Sequence, residues 1–466
     1  MLTLGTATRV INPSLRIPLA GWGAQNHIVG TALEADFRTT VFAIAADDTV
    51  AVIIDVDTSH FSKSQADEFI REIAGFLELD ESCIRLSTTH THSGPLLSAE
   101  YYPEYEPEVR KYAEDLLQKT KEAAREALDN RIKVTVGAGT GSCDVAVNRR
   151  QHLPDGRTVT GANAHGVTDS AVGVIRFDDE RGNVAAAIVH YSCHPTVLGY
   201  ENTLYSPEYP GVVKRMLEHT VGGTCLFLQG AAGNVGPGYE GFGTNLEEMK
   251  RIGKIIGCEA AKTVLETSTT PVTRHFAGVV ESGAPLGIWK LRKETAPVPV
   301  FQIVNRSIKL PLKEQLTVEE AVRIANGCRD QLWQLRAEKA PEQLIKEATF
   351  KAKRAFMAVE RSEMYHGKRM IEVNVQFIRI GDIVMIGSPI EPFVQIGLDI
   401  KKRSPFPFTF YSGYTNGTLG YMPTREDYPF HGYEVDTTPY SPDAAEPLID
   451  EIVNELISIW KGGGEI

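Results

Sequence analysis

The stretch Cys83-Ile84-Arg85-Leu86-Ser87-Thr88-Thr89-His90-Thr91-His92-Ser93-Gly94-Pro95 joins a short apolar run to two histidines and a turn. Residues 83–87 predict a buried strand, and alternation along a strand would point His90 and His92 to the same side. Two imidazoles about 6–7 Å apart on one pleat can share a metal ion, or one can bind metal while the other contacts substrate. Gly94-Pro95 then turns the chain. The alternative is a structural histidine pair that caps the strand.

Apolar periodicity outside this stretch predicts buried strands and amphipathic helices in alternation. A hairpin at 42–46 and 50–54 and a helix at 62–78 precede the histidines, so a crossover unit leads into them. Further helices are predicted at 107–129, 245–267, 317–338, 341–363 and 443–461, and further strands at 133–140, 172–177, 184–189, 224–229, 371–378, 383–386 and 408–411. This order predicts an α/β fold with mixed central β-sheets flanked by helices. We expect a single large domain over residues 1–466, with a helical cap or insertion near 285–370 and without internal repeats.

Composition narrows the class of protein. The 466 residues include 48 Lys and Arg against 60 Asp and Glu, a net charge of −12, which argues against nucleic acid or an anionic membrane as partner. We expect a small-molecule substrate; the oligomeric state stays open. No apolar run approaches the roughly 18–20 residues of a transmembrane segment. Residues 1–17 lack a basic start followed by a continuous apolar run, and the six cysteines lack CxxC spacing. Both features predict a reduced, cytoplasmic protein.

Polar residues mark the ends of several other predicted strands. Asp55 and Asp57 follow one strand, and they are candidate supports for a metal site or simple strand terminators. The strand at 184–189 runs into His190 and His194, and a second histidine delivered to a strand end strengthens the metal hypothesis. His190 is interpreted as a core histidine or a support behind the ligands. Glu391 lies between two prolines after another strand, where it is available as a third ligand.

Three predicted loops carry further candidates. Arg149 and Arg150 follow the strand at 133–140, where they can bind an anion or a substrate carbonyl, or form a solvated turn. Residues 230–238 are rich in glycine, which allows backbone N–H groups to approach a ligand closely. This loop lacks the Lys and Ser/Thr of a phosphate-binding loop, so it does not predict nucleotide binding. The loop at 411–433 is rich in Gly, Tyr and Asn and can supply a phenol to a metal or an oxyanion.

Taken together, six motifs resemble the neutral/alkaline non-lysosomal ceramidase family, specifically its N-terminal catalytic domain. They occur in the family's order and cover roughly residues 1–285 and 371–440. The motifs are Thr89-His90-Thr91-His92-Ser93-Gly94-Pro95, Asn148-Arg149, His194-Pro195-Thr196, Gly233-Asn234-Val235-Gly236-Pro237, Pro389-Ile390-Glu391 and Tyr421-Met422-Pro423-Thr424-Arg425-Glu426-Asp427-Tyr428.

The resemblance implies a single zinc ion held by His90, His194, Glu391 and Tyr421. These nitrogen and oxygen ligands suit Zn²⁺ with one position open to water. Tyr428 lies in the same motif as Tyr421 and is the alternative phenol. The remaining candidates follow from motif and position: His92 and Arg149 would contact the substrate, Gly233, Asn234, Gly236 and Tyr428 would line its pocket, and Asp55, Asp57 and His190 would support the ligands.

One departure from the family concerns the chemistry. The ceramidases carry a serine where this chain has Gly236, so a serine nucleophile is excluded at that position. The sequence therefore predicts a zinc-dependent hydrolase in which metal-activated water attacks an amide, such as the bond of an N-acyl compound. His92 would transfer a proton to the amine, and Tyr421 or Arg149 would stabilise the oxyanion. The alternatives are a metal-dependent hydrolase of a glycosidic, ester or lactone bond, and a catalytically silent binding protein.

Overall fold

The computed structural model describes residues 1–19, 21–25, 27–99, 102–294 and 298–462. The helices are α1 (Lys63–Leu77), α2 (Glu106–Asp129), α3 (Glu208–Val221), α4 (Leu246–Glu266), α5 (Val318–Ala337), α6 (Glu342–Tyr365), α7 (Val394–Arg403), α8 (Tyr433–Thr437) and α9 (Ala445–Trp460). The strands are β1 (Leu2–Val10), β2 (Ala32–Leu33), β3 (Arg38–Ala46), β4 (Thr49–Val56), β5 (Ile84–Thr88), β6 (Ile132–Lys133), β7 (Thr135–Ser142), β8 (Val147–His152), β9 (Thr158–Asn163), β10 (Ala171–Asp178), β11 (Val184–Tyr191), β12 (Leu204–Tyr205), β13 (Thr224–Gln229), β14 (Val235–Gly236), β15 (Val272–Val280), β16 (Leu286–Lys293), β17 (Phe301–Pro311), β18 (Met370–Ile380), β19 (Ile383–Gly387), β20 (Glu391–Pro392), β21 (Phe408–Ser412) and β22 (Tyr421–Met422).

Three sheets share one topology. Within the described ranges they are ordered β5-β4-β3-β1-β6, β13-β11-β10-β7 and β21-β19-β18-β17. In each sheet, three consecutive antiparallel strands are followed by a fourth that pairs in parallel with the third, as β4 with β5, β11 with β13 and β19 with β21. A helix connects the two parallel strands, which require a crossover. The α/β class with mixed sheets is confirmed.

The chain therefore consists of three topologically similar units, although its sequence shows no internal repeat. Topology can persist without sequence similarity because a sheet layer needs only a compatible apolar pattern. In all three units the connection between the first and second strands is long. It is an irregular segment in the first unit, the β8–β9 hairpin in the second and the α5–α6 pair in the third. The helical insertion is narrower than the predicted 285–370, since that range also contains β17 and part of the β15–β16 hairpin.

Among the described residues, the four large clusters of the core are one inner and three outer clusters, and a small fifth cluster surrounds Ile17 and Tyr112. The inner faces of the three sheets meet in one apolar cluster, with Phe42 from the first, Ile188 from the second and Met385 from the third. The outer face of each sheet is covered by its own helices, α1 and α2, α3 and α4, or α7 and α9. Helix layers on sheets bury the apolar faces of both, which is the arrangement that stabilises α/β folds. None of the described helices is long and apolar enough to cross a bilayer.

Local sequence explains where the helices begin. Ser62 caps α1 through a reciprocal pair of hydrogen bonds with Gln65, and Thr317 and Glu320 form the same box at α5. Such boxes satisfy backbone N–H groups that the first turn of a helix leaves unpaired. Helix α1 then buries Phe69, Ile70 and Ile73 on the first sheet, as its 3.6-residue periodicity requires.

Candidate metal centre

The candidate ligands lie at the carboxyl ends of the parallel strand pairs. His90 follows β5 in the first unit, His194 follows β11 in the second and Glu391 follows β19 in the third. Each unit thus delivers a ligand to the place where the three sheets converge. Ligand sites outside the carboxyl ends of strands are the general rule in α/β sheets.

His90 and His92 share this site for a different reason than the one expected from strand geometry. Strand β5 ends at Thr88, so neither histidine lies on a pleat. His90 adopts a left-handed backbone conformation with φ of 64°. This reversal brings the His90 and His92 rings to a centroid distance of 5.0 Å, closer than the roughly 6–7 Å expected on one strand face. Their Nε2 atoms lie 3.3 Å apart.

The donor atoms form a compact group. The Nε2 atoms of His90 and His194 lie 3.0 Å apart, and ligand atoms of His90, His92 and His194 all lie within 4.8 Å of one another. Glu391 Oε2 lies 3.6 Å from His90 Nε2 and 4.0 Å from His194 Nε2. Ligand atoms around a tetrahedral zinc ion with bonds of about 2.0–2.1 Å lie roughly 3.3 Å apart. The separations in this group scatter around that value.

Backbone carbonyls orient all three imidazoles. The Nδ1 atoms of His90, His92 and His194 donate to the carbonyl oxygens of Ser59, Gly21 and Ala232, at 2.6, 3.1 and 2.8 Å. A carbonyl accepts only, so each Nδ1 carries the proton and each Nε2 presents a lone pair to the centre of the group. Three lone pairs at this separation repel one another unless a cation lies among them. The arrangement matches the second hydrogen bond that metal-binding histidines usually make.

The pKa shifts of these side chains also favour binding of a metal ion. Burial lowers the pKa of His92 to about 4 and those of His90 and His194 well below their ordinary value. All three are therefore neutral near pH 7, the form that binds metal. Burial raises the pKa of Glu391 to about 7, against the opposing charge of Arg149. Glu391 Oε2 is also buried without a hydrogen-bond partner, a state that a metal ion would relieve. The described residues at this centre fit a zinc ion.

The arginines next to the centre are buried, and they lie in a strand instead of the expected loop. Arg149 and Arg150 belong to β8. Arg149 Nε donates to Glu434 at 2.9 Å, and Arg150 bonds both Glu434 and Asp427 at 3.1 Å. The solvated-turn alternative for this pair is wrong. Glu434 was missed in the sequence because no local motif marks it.

The structure separates the two tyrosines of the last motif. Tyr421 in β22 pairs directly with Glu391 in β20, and its hydroxyl accepts a hydrogen bond from Arg149 Nη2 at 3.2 Å. Tyr428 instead donates to the carbonyl of Tyr440 at 2.9 Å, so its hydroxyl supports a loop. Tyr414, which sequence reasoning missed, packs on His90 with ring centroids 4.0 Å apart.

The glycine-rich loop at 230–238 packs against the segment that carries Glu391. Gly233 packs so closely on β20 that an added Cβ would lie 2.7 Å from the carbonyl oxygen of Glu391. Asn234 accepts a hydrogen bond from the N–H of Val394 and donates to Gln395, so its side chain holds the loop that carries Glu391. Gly236 is buried, yet a Cβ there would meet only ordinary contacts of 3.6 Å or more. The Asn234 side chain therefore has a structural role, and the described residues of the cavity wall do not include Gly233, Asn234 or Gly236, which were expected to line it.

The other predicted supports lie elsewhere. Asp55 and Asp57 accept hydrogen bonds from buried Lys214 at 2.9 and 2.7 Å, and they connect the first sheet to α3. His190 Nε2 donates to the carbonyl of Tyr411 at 2.9 Å. His190 is therefore a core histidine, the first of its two interpretations. Because carbonyls occupy the Nδ1 positions behind the ligands, the prediction that these three residues support the metal ligands is wrong. Lys214 was missed because its partners lie about 160 residues away in sequence.

A cavity of about 1070 Å³ opens onto the centre. Its wall includes His92, Arg149 and Tyr421, so those side chains can contact a bound molecule. All three first-to-second-strand connections contribute: Trp22 from the first unit, Thr160 from the β8–β9 hairpin and Phe350 from α6. The α5–α6 insertion is therefore a wall of the cavity. Most of the wall is apolar, which suits a substrate with a hydrocarbon chain.

Comparisons with known proteins were made by sequence and by fold. No family model matches the chain. The neutral ceramidase of Pseudomonas aeruginosa is 23% identical over 392 residues, covering 78% of this chain and 57% of that protein. The chain thus spans rather more than half the length of this relative.

Two solved structures have the same fold. A ceramidase structure described as complexed with C2 superimposes with a TM-score of 0.67 at 17% identity, covering 99% of this chain and 75% of that one. The crystal structure of the neutral ceramidase from Pseudomonas aeruginosa gives a TM-score of 0.68 at 18% identity, covering 100% and 75%. The resemblance drawn from the six motifs is confirmed: this chain is similar to neutral ceramidases both in sequence and in fold.

Proposed function

We propose that this protein is a zinc-dependent amidase that hydrolyses the amide bond of an N-acyl, lipid-like substrate. The observation that carries the proposal is the group of His90, His92, His194 and Glu391, with lone pairs directed inward and an unpartnered carboxylate oxygen. It lies at the floor of a cavity with a mostly apolar wall. The sequence relative is a neutral ceramidase, which supports an amide as the bond cleaved.

His90, His194 and Glu391 would hold the ion, since their donor atoms are buried and face one another. Tyr421, paired with Glu391 across two short strands, is the further ligand or oxyanion donor. Bound zinc would supply Lewis acidity and a water molecule acidic enough to attack an amide carbonyl near neutral pH. His92 lines the cavity and is less buried than its two neighbours, so we assign it to the substrate side.

The chain's own residues then have defined tasks in hydrolysis. Water adds to the carbonyl carbon, and His92 Nε2 accepts the proton that the water loses. Arg149, which lies on the cavity wall, and the Tyr421 hydroxyl hydrogen-bond to the carbonyl oxygen as negative charge develops there. His92 donates the proton to the nitrogen as the carbon–nitrogen bond breaks. The products are a carboxylic acid and an amine.

Glu434 holds Arg149 in place for this task. It accepts from both arginines of β8, and all three side chains are nearly fully buried. A buried, paired guanidinium cannot move away when the substrate leaves, so the oxyanion donor is oriented before the reaction begins. The remaining Nη2 of Arg149 already points to Tyr421.

The experiment is a substrate panel with purified protein. N-acyl amides, the matching esters and p-nitrophenyl glycosides would be assayed untreated, after a chelator and after zinc is restored. We expect turnover of amides, lost with the chelator and recovered with zinc. Cleavage of esters or glycosides without any cleavage of amides would move the reaction to another bond. Chelator-resistant turnover of amides would refute the zinc requirement, and absence of turnover on every class would support a silent binding protein.

A further inference from the structure

The wall of the cavity carries positive charge, although the protein as a whole is acidic. Four cationic side chains lie on its wall: Arg149, Arg329, Lys353 and Arg354. None of the described residues on that wall is Asp or Glu, although the whole chain has a net charge of −12. The cavity therefore concentrates positive charge beside an apolar surface, within a protein that is acidic overall.

Two of the four cations are neutralised by neighbours. Arg149 pairs with Glu434 at 2.9 Å, and Arg329 lies 3.3 Å from Asp330. Lys353 and Arg354 take part in none of the ion pairs found among the described residues. Among the described residues, Lys353 Nζ donates to the carbonyl of Gly23, at 3.0 Å, and burial lowers the pKa of this lysine. A charge that is partly desolvated without a counter-ion costs free energy, which a bound anion would return.

Both residues flank the candidate metal centre. Gly23, which accepts from Lys353, is two residues from Gly21, whose carbonyl accepts from His92. Arg354 and Tyr433 both line the cavity, and the Tyr433 ring packs on Tyr421 with centroids 5.7 Å apart. A molecule that extends from the centre along α6 would therefore pass both cations.

We propose that the substrate carries an anionic group (a carboxylate, sulfonate or phosphate) that binds to Lys353 and Arg354. The inference rests on the proposed amidase function and adds the class of substrate, an anionic N-acyl amphiphile. The apolar wall, including Phe350 and Met357, would take the hydrocarbon chain. The two cations on α6 would take the charge of the opposite end through charge-assisted hydrogen bonds, which are stronger than neutral ones.

Matched substrates test this class directly. N-hexadecanoylglycine, N-hexadecanoyltaurine and N-hexadecanoyl-phosphoethanolamine differ in the anion, while N-hexadecanoylethanolamine has the same chain and no charge. The readout is the ratio of kcat/KM for each anionic amide to that for the neutral one. We expect a ratio of at least about ten for one or more anions in the unaltered protein. A ratio of one or below for all three would overturn the inference.

Variants locate the effect. Arg354→Met and Lys353→Met should each lower the ratio about tenfold, whereas Arg354→Lys and Lys353→Arg should keep most of it. Lys351→Met is the matched control, because Lys351 is an exposed lysine of the same helix that does not line the cavity. Equal losses for charged and neutral amides in both methionine variants would show a purely structural role and overturn the inference.

A binding measurement separates this inference from the proposed function. Calorimetry of the zinc-loaded protein with N-hexadecanoylglycine and N-hexadecanoylethanolamine needs no turnover. If no amide is hydrolysed but the anionic ligand binds at least about tenfold more tightly, the amidase proposal fails and the anion site stands. If neutral amides are hydrolysed and bind as tightly as anionic ones, the amidase proposal stands and the anion site fails.

Discussion

His90 departs from ordinary backbone conformation at the point where the chain leaves β5. A left-handed φ of 64° is uncommon for a residue other than glycine, and Tyr414, which packs on His90, has a φ of 53°. Such conformations cost about 1–3 kcal/mol each and persist where the surroundings determine them. The hydrogen bond from His90 to Ser59 and the ring of Tyr414 provide those surroundings. The strained backbone at His90 thus directs its Nε2 atom into the candidate metal centre, whereas a regular strand would direct it elsewhere.

The division of labour between the two neighbouring histidines can be tested by substitution. His90→Asn should abolish zinc binding, because it removes a buried donor from the centre of the group. His92→Asn should retain at least half of the zinc and lower kcat about 10²-fold or more, since it removes the proton carrier. The measurement is metal content by mass spectrometry alongside steady-state kinetics. Loss of zinc in both variants would make His92 a ligand and contradict the assignment.

Two glycines of one loop should respond differently to added side chains. Gly236→Ser introduces the serine that the ceramidases carry at this position. Its Cβ would lie at ordinary distances from Thr196, Arg149 and His194, so we expect a stability change of about 1 kcal/mol or less. At Gly233 a Cβ would lie 2.7 Å from the carbonyl oxygen of Glu391.

Gly233→Ala should therefore cost about 1–3 kcal/mol and reduce zinc content by displacing Glu391. Thermal denaturation and metal analysis of the two variants check the contrast. Equal behaviour of both variants would show that the close approach of Gly233 is not what positions Glu391.

Where a motif was short and local, the sequence pointed to residues that the structure brings together. His90, His194 and Glu391 were predicted from strand ends and family motifs, and the structure brings them together. Asp55 and Asp57 show where such reasoning fails. The sequence of two carboxylates after a strand is the same whether they face a metal centre or a lysine. Their actual partner, Lys214, lies in another unit, so the local sequence does not reveal it.

At the scale of elements, the buried ion triad joins two units. Lys214 of α3 reaches Asp55 and Asp57 at the end of β4, and all three side chains are almost completely buried. Burial raises the pKa of Asp55 to about 6 even though the ammonium group opposes the shift. Removing one partner of a buried ion pair leaves uncompensated charge, which is the costly case.

Lys214→Met should destabilise the fold by about 3–5 kcal/mol. A carboxyl group whose pKa is higher in the folded than in the unfolded protein stabilises the fold at pH values below its unfolded pKa. This contribution to stability is lost as the pH rises through the folded pKa. The loss in this variant should therefore be larger at pH 8 than at pH 5. Urea denaturation at both pH values is the measurement.

Lys250→Met is the control, since Lys250 and Glu247 form an exposed pair on α4, and it should change stability by less than about 0.5 kcal/mol. A Lys214→Met protein as stable as this control, or one stabilised at pH 8 relative to pH 5, would contradict the role of the triad.

Periodicity predicted most helices and sheet strands within a few residues, because their apolar faces are buried in a regular pattern. It placed Arg149 and Arg150 in a loop because β8 carries few apolar side chains and its charges are satisfied by distant carboxylates. The three-unit topology could also not be predicted from the sequence. Strand order and parallel pairing depend on contacts between distant segments, and no repeat in composition records them.

At the scale of the whole molecule, the cavity is built from one connection of each unit. The α5–α6 pair contributes the apolar side chains Val322, Phe350 and Met357 to its wall. Burying a hydrocarbon chain against such a wall stabilises the complex by roughly 25 cal/mol per Å² of apolar surface. Specificity for acyl chain length should therefore depend on this insertion, whereas the chemistry depends on the strand ends.

Phe350→Ala should lower kcat/KM for an N-hexadecanoyl amide about tenfold, and it should leave an N-acetyl amide nearly unaffected because the short chain does not reach α6. Trp333→Ala is the matched control, since Trp333 is an exposed aromatic of α5, 63% accessible and outside the cavity wall. A similar loss on both chain lengths would show that Phe350 acts through the fold and not through contact with the acyl chain.

The central claim is that the strand ends of three units together form one metal centre. Zinc per chain should be measured by mass spectrometry in the unaltered protein, in His194→Ala and Glu391→Ala, and in His165→Ala, an exposed histidine outside the site. We predict one zinc ion per chain in the unaltered protein and in His165→Ala, and less than a tenth of that in the other two. Full zinc content in His194→Ala or Glu391→Ala, or none in the unaltered protein after zinc is supplied, would contradict the account.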